Sequence, residues 1–405
     1  MKDYGIFKQL CDNNHYSSLS KMLCSAASTA DTKKTIKRIT QKHIVYAHMG
    51  QLVIQNGICY ASFIQNPGND TEAHYSKTSS IALAVFELER IMSNNFDADK
   101  DITFFNVGSM GDYCAGYKAE SIFKDNSMCL VGNMLHICFS FITDDGNSHI
   151  FRKTFDVTAN TWVDEVKVSL RYNDTNYDFS DATLNMIYRD KGFPPNAKGL
   201  IEMVSRWNEY NGEYYATGLA IELANNGFIV KTHDFTTMEL VDVIPFNDMG
   251  MAEIASYIHK DRLFVACRQD YGIPYIYLGS LNLKKMQWEH YYKIPDGNSR
   301  PWFFEQAGEL YLCNTLDEQK RKYMNISRVR ILEGWPQPFF NDQHPVELVA
   351  TLKDCGSYIA TSEYEGEIYF VVTRNTESFG KLTLRLYNDD EINQKLLYLF
   401  DKIQF

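Results

Sequence analysis

The amino-acid sequence predicts an all-β fold, and three observations support this prediction. First, a tight turn leads into a short apolar strand six times, at Gly57, Gly132, Gly212, Asp261, Gly308 and Gly366. Second, these turns are 75, 80, 49, 47 and 58 residues apart. Third, a different hairpin signal recurs between them, with a turn-forming Asp or Asn six residues before a large apolar residue. A strand-bearing repeat of about 50 residues is typical of a β-propeller. We therefore expect six blades of four strands each.

The N-terminal residues 1–41 lack the strand pattern, and we expect them to form a short helical appendage ahead of a propeller at 42–405. Their apolar residues have helical spacing: Phe7, Leu10, Leu19, Met22 and Leu23. Residues 32–38 add a basic link. Two interpretations remain open. The appendage packs across one propeller face, or it docks the chain on a larger assembly or on further copies of itself.

The repeats divide the remaining chain into six predicted blades, at 45–110, 117–170, 180–245, 250–295, 298–352 and 355–400. Asp156, Asp234 and Asn282 begin the second hairpin signal, and such side chains cap turns by accepting from backbone amides two residues on. Residues 65–79 and 172–198 are long, polar and rich in turn residues, so we expect them to be loops. Strands near the C-terminus, with residues 381–386 and 395–400 as the candidates, are expected to close the ring, because an open ring leaves bare strand edges.

Composition excludes several function classes. The net charge of −11 is unsuited to binding nucleic acid or an anionic membrane surface. The sequence contains no run of 18 apolar residues, so no transmembrane helix is expected. Residues 1–6 show no secretory signal, so a cytoplasmic or virion-associated location is expected. The nine cysteines form no CxxC pair, so we expect buried reduced thiols and no metal. No dinucleotide or phosphate-loop motif is present, so no cofactor is expected.

Propeller geometry predicts where a site lies. The first strand of each blade lines the central axis, and its start opens on the same face as the end of the second strand. We call this face the mouth. Eight residues predicted at the mouth form the candidate site. The catalytic candidates are His48, Glu253 and Asp270, and the substrate-binding candidates are Arg268, Arg300, Arg374, Tyr271 and Tyr358.

These residue types suit an acidic glycan. Arginine forks bind carboxylates in a bidentate manner, histidine carries protons near neutral pH, and two carboxyl groups are the usual machinery of glycoside hydrolysis. Structural interpretations stay open for two of the residues. His48 also suits a hydrogen bond to a neighbouring blade, and Arg300 suits a bridge between blades through backbone carbonyls.

Two stretches resemble the sialidase-type (BNR-repeat) propellers. One is residues 294–303 with 308–312, and the other is His48 followed by 52–54 and 57–60. The resemblance implies a propeller related to polysaccharide-active hydrolases and lyases, in some of which a histidine at the place of His48 is functional. The chain departs from the family's Asp-box, because Val157 and Ala159 stand where Asp and Gly belong. Neither the family's arginine triad nor its Tyr–Glu nucleophile pair is identifiable in the sequence.

Three function classes remain open. The first is a glycoside hydrolase or polysaccharide lyase that acts on an acidic glycan at the central funnel. In a lyase, His48 as base and an arginine as charge neutraliser would suffice. The second is a non-catalytic bacteriophage virion or tail component that binds a host surface glycan. The third is a scaffold whose propeller faces bind proteins.

Overall fold

The structure is a computed structural model of the chain. It describes residues 28–31, 36–68, 78–193, 200–221, 226–245, 251–269, 275–295, 299–315, 323–330, 346–353, 357–376 and 394–400.

Strands dominate the described residues. The N-terminal strands are β1 (Ser28–Asp31) and β2 (Ile36–Arg38). The first four-stranded sheet contains β3 (Tyr46–Gln55), β4 (Ile58–Asn66), β5 (Ser80–Glu87) and β6 (Thr103–Ser109), and a small hairpin, β7 (Tyr113–Cys114) and β8 (Tyr117–Lys118), follows it. The next sheet contains β9 (Ser121–Val131), β10 (Met134–Ile142), β11 (Ser148–Asp156) and β12 (Thr161–Lys167).

The following sheet is larger. It contains β13 (Ser169–Tyr172), β14 (Thr175–Asp178), β15 (Leu200–Met203), β16 (Asn208–Tyr210), β17 (Glu213–Ile221), β18 (Asn226–Thr232) and β19 (Thr237–Val243). The described helices are α1 (Leu88–Met92), α2 (Ala98–Asp101) and α3 (Asp181–Asp190). None of the helices in the described part of the chain is both long and apolar enough to span a bilayer.

Three further sheets complete the described fold. One contains β20 (Met251–His259), β21 (Arg262–Gln269), β22 (Tyr275–Asn282) and β23 (Gln287–Pro295). Another contains β24 (Trp302–Gln306), β25 (Glu309–Thr315), β26 (Tyr323–Val329) and β27 (Val346–Lys353), with β1 added at its edge. The last contains β28 (Ser357–Tyr364), β29 (Glu367–Thr376) and β30 (Gln394–Phe400), with β2 as its fourth strand.

The all-β propeller prediction is confirmed, but the prediction of six four-stranded blades is wrong. Among the described residues, four sheets have four strands, and the two other large sheets have five and seven. Added strands make the difference: β1 pairs in parallel with β27, and β13 pairs in parallel with β19. These short additions cover edges that would otherwise leave backbone groups unpaired. They lack the turn-and-strand signal from which the blades were predicted.

The repeated turns are the hairpins between first and second strands. Asn56 and Gly57 have φ of 51° and 76°, and Glu365 and Gly366 have φ of 52° and 77°. Two successive positive φ values are typical of the type I′ turn, whose twist matches that of paired strands. Asp156 and its counterparts lie between third and fourth strands as expected. The Oδ1 atom of Asp156 accepts from the amides of Thr158 and Ala159 at 2.8 and 2.9 Å.

The chain ends meet in one sheet and complete a ring. β2 from the N-terminal region pairs antiparallel with β30, so the predicted strand at 395–400 is confirmed. The other candidate, residues 381–386, lies outside the described residues. Neighbouring sheets contact each other around the central axis. β28 contacts β3, β3 contacts β9, and β9 contacts β15, which pairs with β17 in the next sheet. β17 in turn contacts β20, β20 contacts β24, and β24 contacts β28, which completes the ring. Apolar side chains such as Phe63, Trp302 and Phe370 fill the spaces between neighbouring sheets. The central axis is therefore enclosed by first strands.

The described part of the N-terminal region differs from the prediction. Residues 28–31 and 36–38 form strands rather than helices, because each finds an open sheet edge to pair with. The helical pattern at residues 7–23 lies outside the described residues.

Cysteines in the described chain are free and buried, as expected from the sequence. Burial raises the pKa of Cys129 to about 12, so this thiol stays protonated. Burial likewise raises the pKa of Cys59 above its ordinary value.

Candidate functional site

Three first strands are irregular where they start at the mouth. The register shifts between His48 and Gln51 in β3, between Met251 and Ile254 in β20, and between Ser357 and Ala360 in β28. Such bulges bend a strand and redirect its side chains, and they are common beside active sites. His48 and Glu253 lie within or at the edge of these bulges, and so does Tyr358.

Two of the bulges contain a residue with left-handed backbone. Met49 has φ of 59° and Tyr358 has φ of 53°. Bulky residues rarely adopt this conformation, and it persists where surrounding contacts impose it. Both of these left-handed residues lie beside predicted site residues.

Glu253, Arg268 and Tyr358 form one hydrogen-bonded cluster. The Tyr358 hydroxyl donates to Glu253 Oε1 at 2.7 Å. Arg268 Nη1 donates to the Tyr358 oxygen at 3.1 Å and also forms an ion pair with Glu253 Oε2. All three residues are buried, with exposed fractions of 7% for Glu253, 7% for Arg268 and 3% for Tyr358. Burial strengthens these charge-assisted bonds and makes each partner dependent on the others.

Local pairing explains how Glu253 and Arg268 meet. β20 and β21 form a hairpin in which His259 pairs with Arg262. The regular pairing runs on to Ile254 opposite Cys267, and the register then shifts, so Glu253 lies in the bulge and Arg268 directly follows Cys267. Counting outward from the Lys260–Asp261 turn would have predicted the regular pairs from the sequence, although not the bulge. The contact with Tyr358 in another sheet has no such local signal.

His48 packs against the ring of Tyr358. The two ring centroids are 4.1 Å apart and the planes are tilted by 59°. His48 Nδ1 forms a hydrogen bond of 2.7 Å with Thr373 Oγ1, which belongs to β29 of the neighbouring sheet. The predicted hydrogen bond from His48 to a neighbouring blade is therefore present. Thr373 was not predicted, because a lone threonine in a strand carries no functional signal.

Arg300 bridges two sheets through the backbone. Its Nη2 donates to the carbonyl oxygen of Gly50 at 2.9 Å and to that of Ile359 at 3.4 Å. Each carbonyl belongs to the residue that follows a left-handed residue, Met49 or Tyr358. The guanidinium carbon also lies 5.8 Å from the centroid of the Tyr358 ring. Arg300 thus connects the two strained bulges, which matches the structural interpretation left open for it.

Two guanidinium groups lie at this site among the described residues. Arg268 is paired with Glu253, and Arg300 lies beside the ring of Tyr358. The remaining arginine, Arg374, has its backbone in β29, while its side chain is outside the described part. Asp270 and Tyr271 also lie outside the described residues. Within the described ranges, no group of three or more His, Cys, Asp or Glu side chains is arranged to hold a metal ion.

Sequence comparison identifies no relative, because no family model and no curated protein matches the chain. Solved structures do match. The sialidase of Trypanosoma rangeli superposes with a TM-score of 0.56 and 11% sequence identity. The matched region covers 93% of this chain and 57% of the sialidase. Phage phi92 endosialidase gives a TM-score of 0.57 at 11% sequence identity, and the match covers 91% of this chain and 69% of the endosialidase. A Hadza microbial sialidase gives 0.57 at 10% identity, over 88% and 66%.

The fold is therefore that of the sialidase-type propellers, as the resemblance in the sequence implied. The chain spans less than two thirds of the length of the trypanosomal protein. That protein has also been solved with sialic acid and with 2,3-difluorosialic acid as a covalent intermediate. At these identities the similarity concerns the fold, and activity has to be argued from the side chains.

Proposed function

We propose that this chain is a glycoside hydrolase of the retaining type that acts on glycans carrying a carboxylate, with sialic acids as the first substrates to test. The observation that carries the proposal is the Tyr358 hydroxyl, which donates to Glu253 at 2.7 Å and accepts from Arg268 at 3.1 Å. A hydroxyl within hydrogen-bond reach of a base, itself oriented by a third group, is the arrangement of an activated nucleophile. Tyrosine is the nucleophile in sialidases.

The proposed reaction begins with the Tyr358 oxygen. As it bonds to the anomeric carbon, its proton passes to Glu253, and the glycosidic oxygen leaves with a proton from a general acid. Asp270, predicted from the sequence as a second carboxylic acid, stays the candidate donor. In the second step water attacks the anomeric carbon and gives a proton to the carboxylate of the general acid, while the Tyr358 oxygen leaves and regains its proton from Glu253. Arg268 stabilises the negative charge that develops on the phenol oxygen during both steps.

A carboxylated sugar fits this nucleophile. A carboxylate on or beside the anomeric carbon repels an anionic nucleophile, whereas a neutral phenol approaches without that repulsion. The guanidinium groups of Arg268 and Arg300, which both lie beside the Tyr358 side chain, also favour an anion. The trypanosomal sialidase, a protein of this fold, has been solved with 2,3-difluorosialic acid as a covalent intermediate, which supports the proposal without transferring the activity.

A covalent-trapping experiment tests the proposal. The protein is incubated with 2,3-difluorosialic acid, digested and analysed by mass spectrometry, and cleavage of a chromogenic sialoside is measured in parallel. We expect cleavage by the wild type and an adduct on the peptide containing Tyr358, with both lost in Tyr358→Phe. Cleavage that persists in Tyr358→Phe, or an adduct on another residue, would refute the assignment of the nucleophile.

Non-catalytic glycan binding is the second candidate, and the similarity in fold to a phage endosialidase favours it. In this case the chain would be a virion or tail component that recognises a host glycan at the same mouth. Binding of an acidic oligosaccharide without turnover would favour this non-catalytic candidate. If the oligosaccharide neither binds nor is cleaved, the protein-interaction scaffold is favoured.

A further inference from the structure

His48 lies between two aromatic rings. Tyr358 packs on it at a centroid distance of 4.1 Å, and Tyr46, two residues earlier in β3, lies edge-on at 6.1 Å. Its Nδ1 is held by Thr373 at 2.7 Å, and only 1% of His48 is exposed. The imidazole is thus fixed by contacts from β3, β28 and β29.

Tyr358, whose ring His48 contacts, has an unusual backbone conformation. Tyr358 has φ of 53° within the bulge of β28. Its hydroxyl must nevertheless stay within hydrogen-bond reach of Glu253, which belongs to a different sheet. Misplacement of a reacting group by about 1 Å can cost about 100-fold in rate. A side chain that fixes the direction of the Tyr358 ring therefore has a direct effect on the proposed reaction.

We infer that His48 is a positioning residue for Tyr358. Its imidazole, anchored by Thr373, packs on the phenol ring and keeps the hydroxyl on Glu253 and Arg268. This inference deepens the proposed function and rests on it for its kinetic consequence. It differs from the sequence prediction, in which His48 was itself a catalytic acid or base.

Two substitutions separate ring packing from hydrogen bonding. His48→Phe keeps an aromatic ring against Tyr358 and loses the bond to Thr373, whereas His48→Asn keeps an amide near Thr373 and loses the ring. We expect His48→Asn to lower kcat by about 10- to 100-fold, with KM changed less than threefold. His48→Phe should keep most of the wild-type kcat. The kcat of Thr373→Val should lie between the values for His48→Phe and His48→Asn.

The pH profile distinguishes positioning from proton transfer. If His48 were the catalytic acid or base, His48→Phe would lose one limb of the pH–rate profile and most of its activity. If His48 bound the substrate carboxylate, KM would rise in both His48 variants while kcat stayed unchanged. Either result, or full kcat in His48→Asn, would overturn the inference.

Crystal structures of the wild type and both His48 variants make the test independent of activity. We expect the Tyr358 hydroxyl to stay within hydrogen-bond distance of Glu253 in His48→Phe and to move away from it in His48→Asn. An unmoved Tyr358 in His48→Asn would contradict the inference. If the wild type cleaves no sialoside while Tyr358 moves as expected, the proposed function fails and the positioning role of His48 stands.

Discussion

Tyr358 and Glu253 form a hydrogen bond of 2.7 Å although 105 residues separate them in the chain. Tyr358 belongs to β28 and Glu253 to β20, and the sheet that begins with β24 lies between theirs in the ring. The bond joins sheets that are not neighbours, so it depends on how the ring closes. Three predictions concern this cluster and its contacts, and a fourth concerns His136 in β10.

Glu253→Gln is expected to lower kcat at least about 100-fold, because an amide cannot take up the phenol proton. The substitution keeps the size of the side chain and a hydrogen-bond acceptor, so KM should change much less. Steady-state kinetics with a chromogenic sialoside measures both constants. Glu120→Gln is the matched control, since its half-exposed carboxylate forms an exposed ion pair with Lys118. A Glu253→Gln variant with more than a tenth of wild-type kcat would contradict the role of base.

The ion pair between Arg268 and Glu253 should show strong energetic coupling. Arg268→Met alone leaves a buried carboxylate without its cation, so we expect a loss of about 3–5 kcal/mol in the free energy of unfolding. Adding Glu253→Gln should restore part of that loss, which gives an interaction energy of about 1–3 kcal/mol. Urea unfolding of the single and double variants measures this cycle.

The pair Lys284–Asp261 provides the control cycle for this coupling. It has a similar ion-pair geometry, but its side chains are 66% and 45% exposed. Exposed pairs contribute less than about 1 kcal/mol. Equal coupling in the two cycles would show that burial of the Arg268–Glu253 pair has no energetic effect.

Arg300→Met should destabilise the fold as well as the site. The substitution removes the donor to the carbonyls of Gly50 and Ile359, and buried acceptors that lose a charged donor cost about 2–5 kcal/mol in total. Thermal unfolding measures the loss. Arg328→Met is the control, because Arg328 pairs with Glu347 at the surface and should cost less than about 1 kcal/mol. Unchanged stability together with weaker substrate binding would show that Arg300 acts only as a ligand.

The fold should lose stability in mild acid through His136. The pKa of His136 is lowered to about 4, mainly by burial and also by the charge of Arg152, while the charge of Asp164 opposes them. The unfolded pKa is about 6.5, so the unfolded chain binds more protons between these values. The contribution of His136 is therefore complete above pH 6.5 and is lost as the pH falls towards 4.

Thermal unfolding at pH 7.5 and at pH 4.5 measures this effect. We expect His136→Gln to show a smaller fall in Tm than the wild type over that interval, by an amount that corresponds to about 1–2 kcal/mol after allowance for partial exposure. His233→Gln is the control, because the His233 side chain is 73% exposed. Identical falls in all three proteins would show that His136 does not contribute.

Local features of the fold were predictable from the sequence. The turns at Gly57 and Gly366 and the cap at Asp156 depend on residues within a few positions of each other, and the structure contains all three. Propeller geometry then identified the mouth, where the structure joins His48, Glu253, Arg268, Arg300 and Tyr358. Hairpin register is set by the turn and by alternation along two adjacent strands, so it can be read from a single sequence.

Contacts between sheets were not predictable in this way. Tyr358 was expected to bind substrate, and its bond to Glu253 was not foreseen, because that bond needs a bulge in each of two first strands and a closed ring to bring them together. No glycine or asparagine marks the left-handed backbone at Tyr358. The strands β1 and β13 were not predicted as parts of these blades because each pairs in parallel with a strand far away in the chain, β27 or β19. The sequence by itself therefore determined the hairpins and supplied the candidate residues, whereas the tertiary structure decided which of the described candidates touch, since bulges and ring closure are set by contacts between residues far apart in the chain.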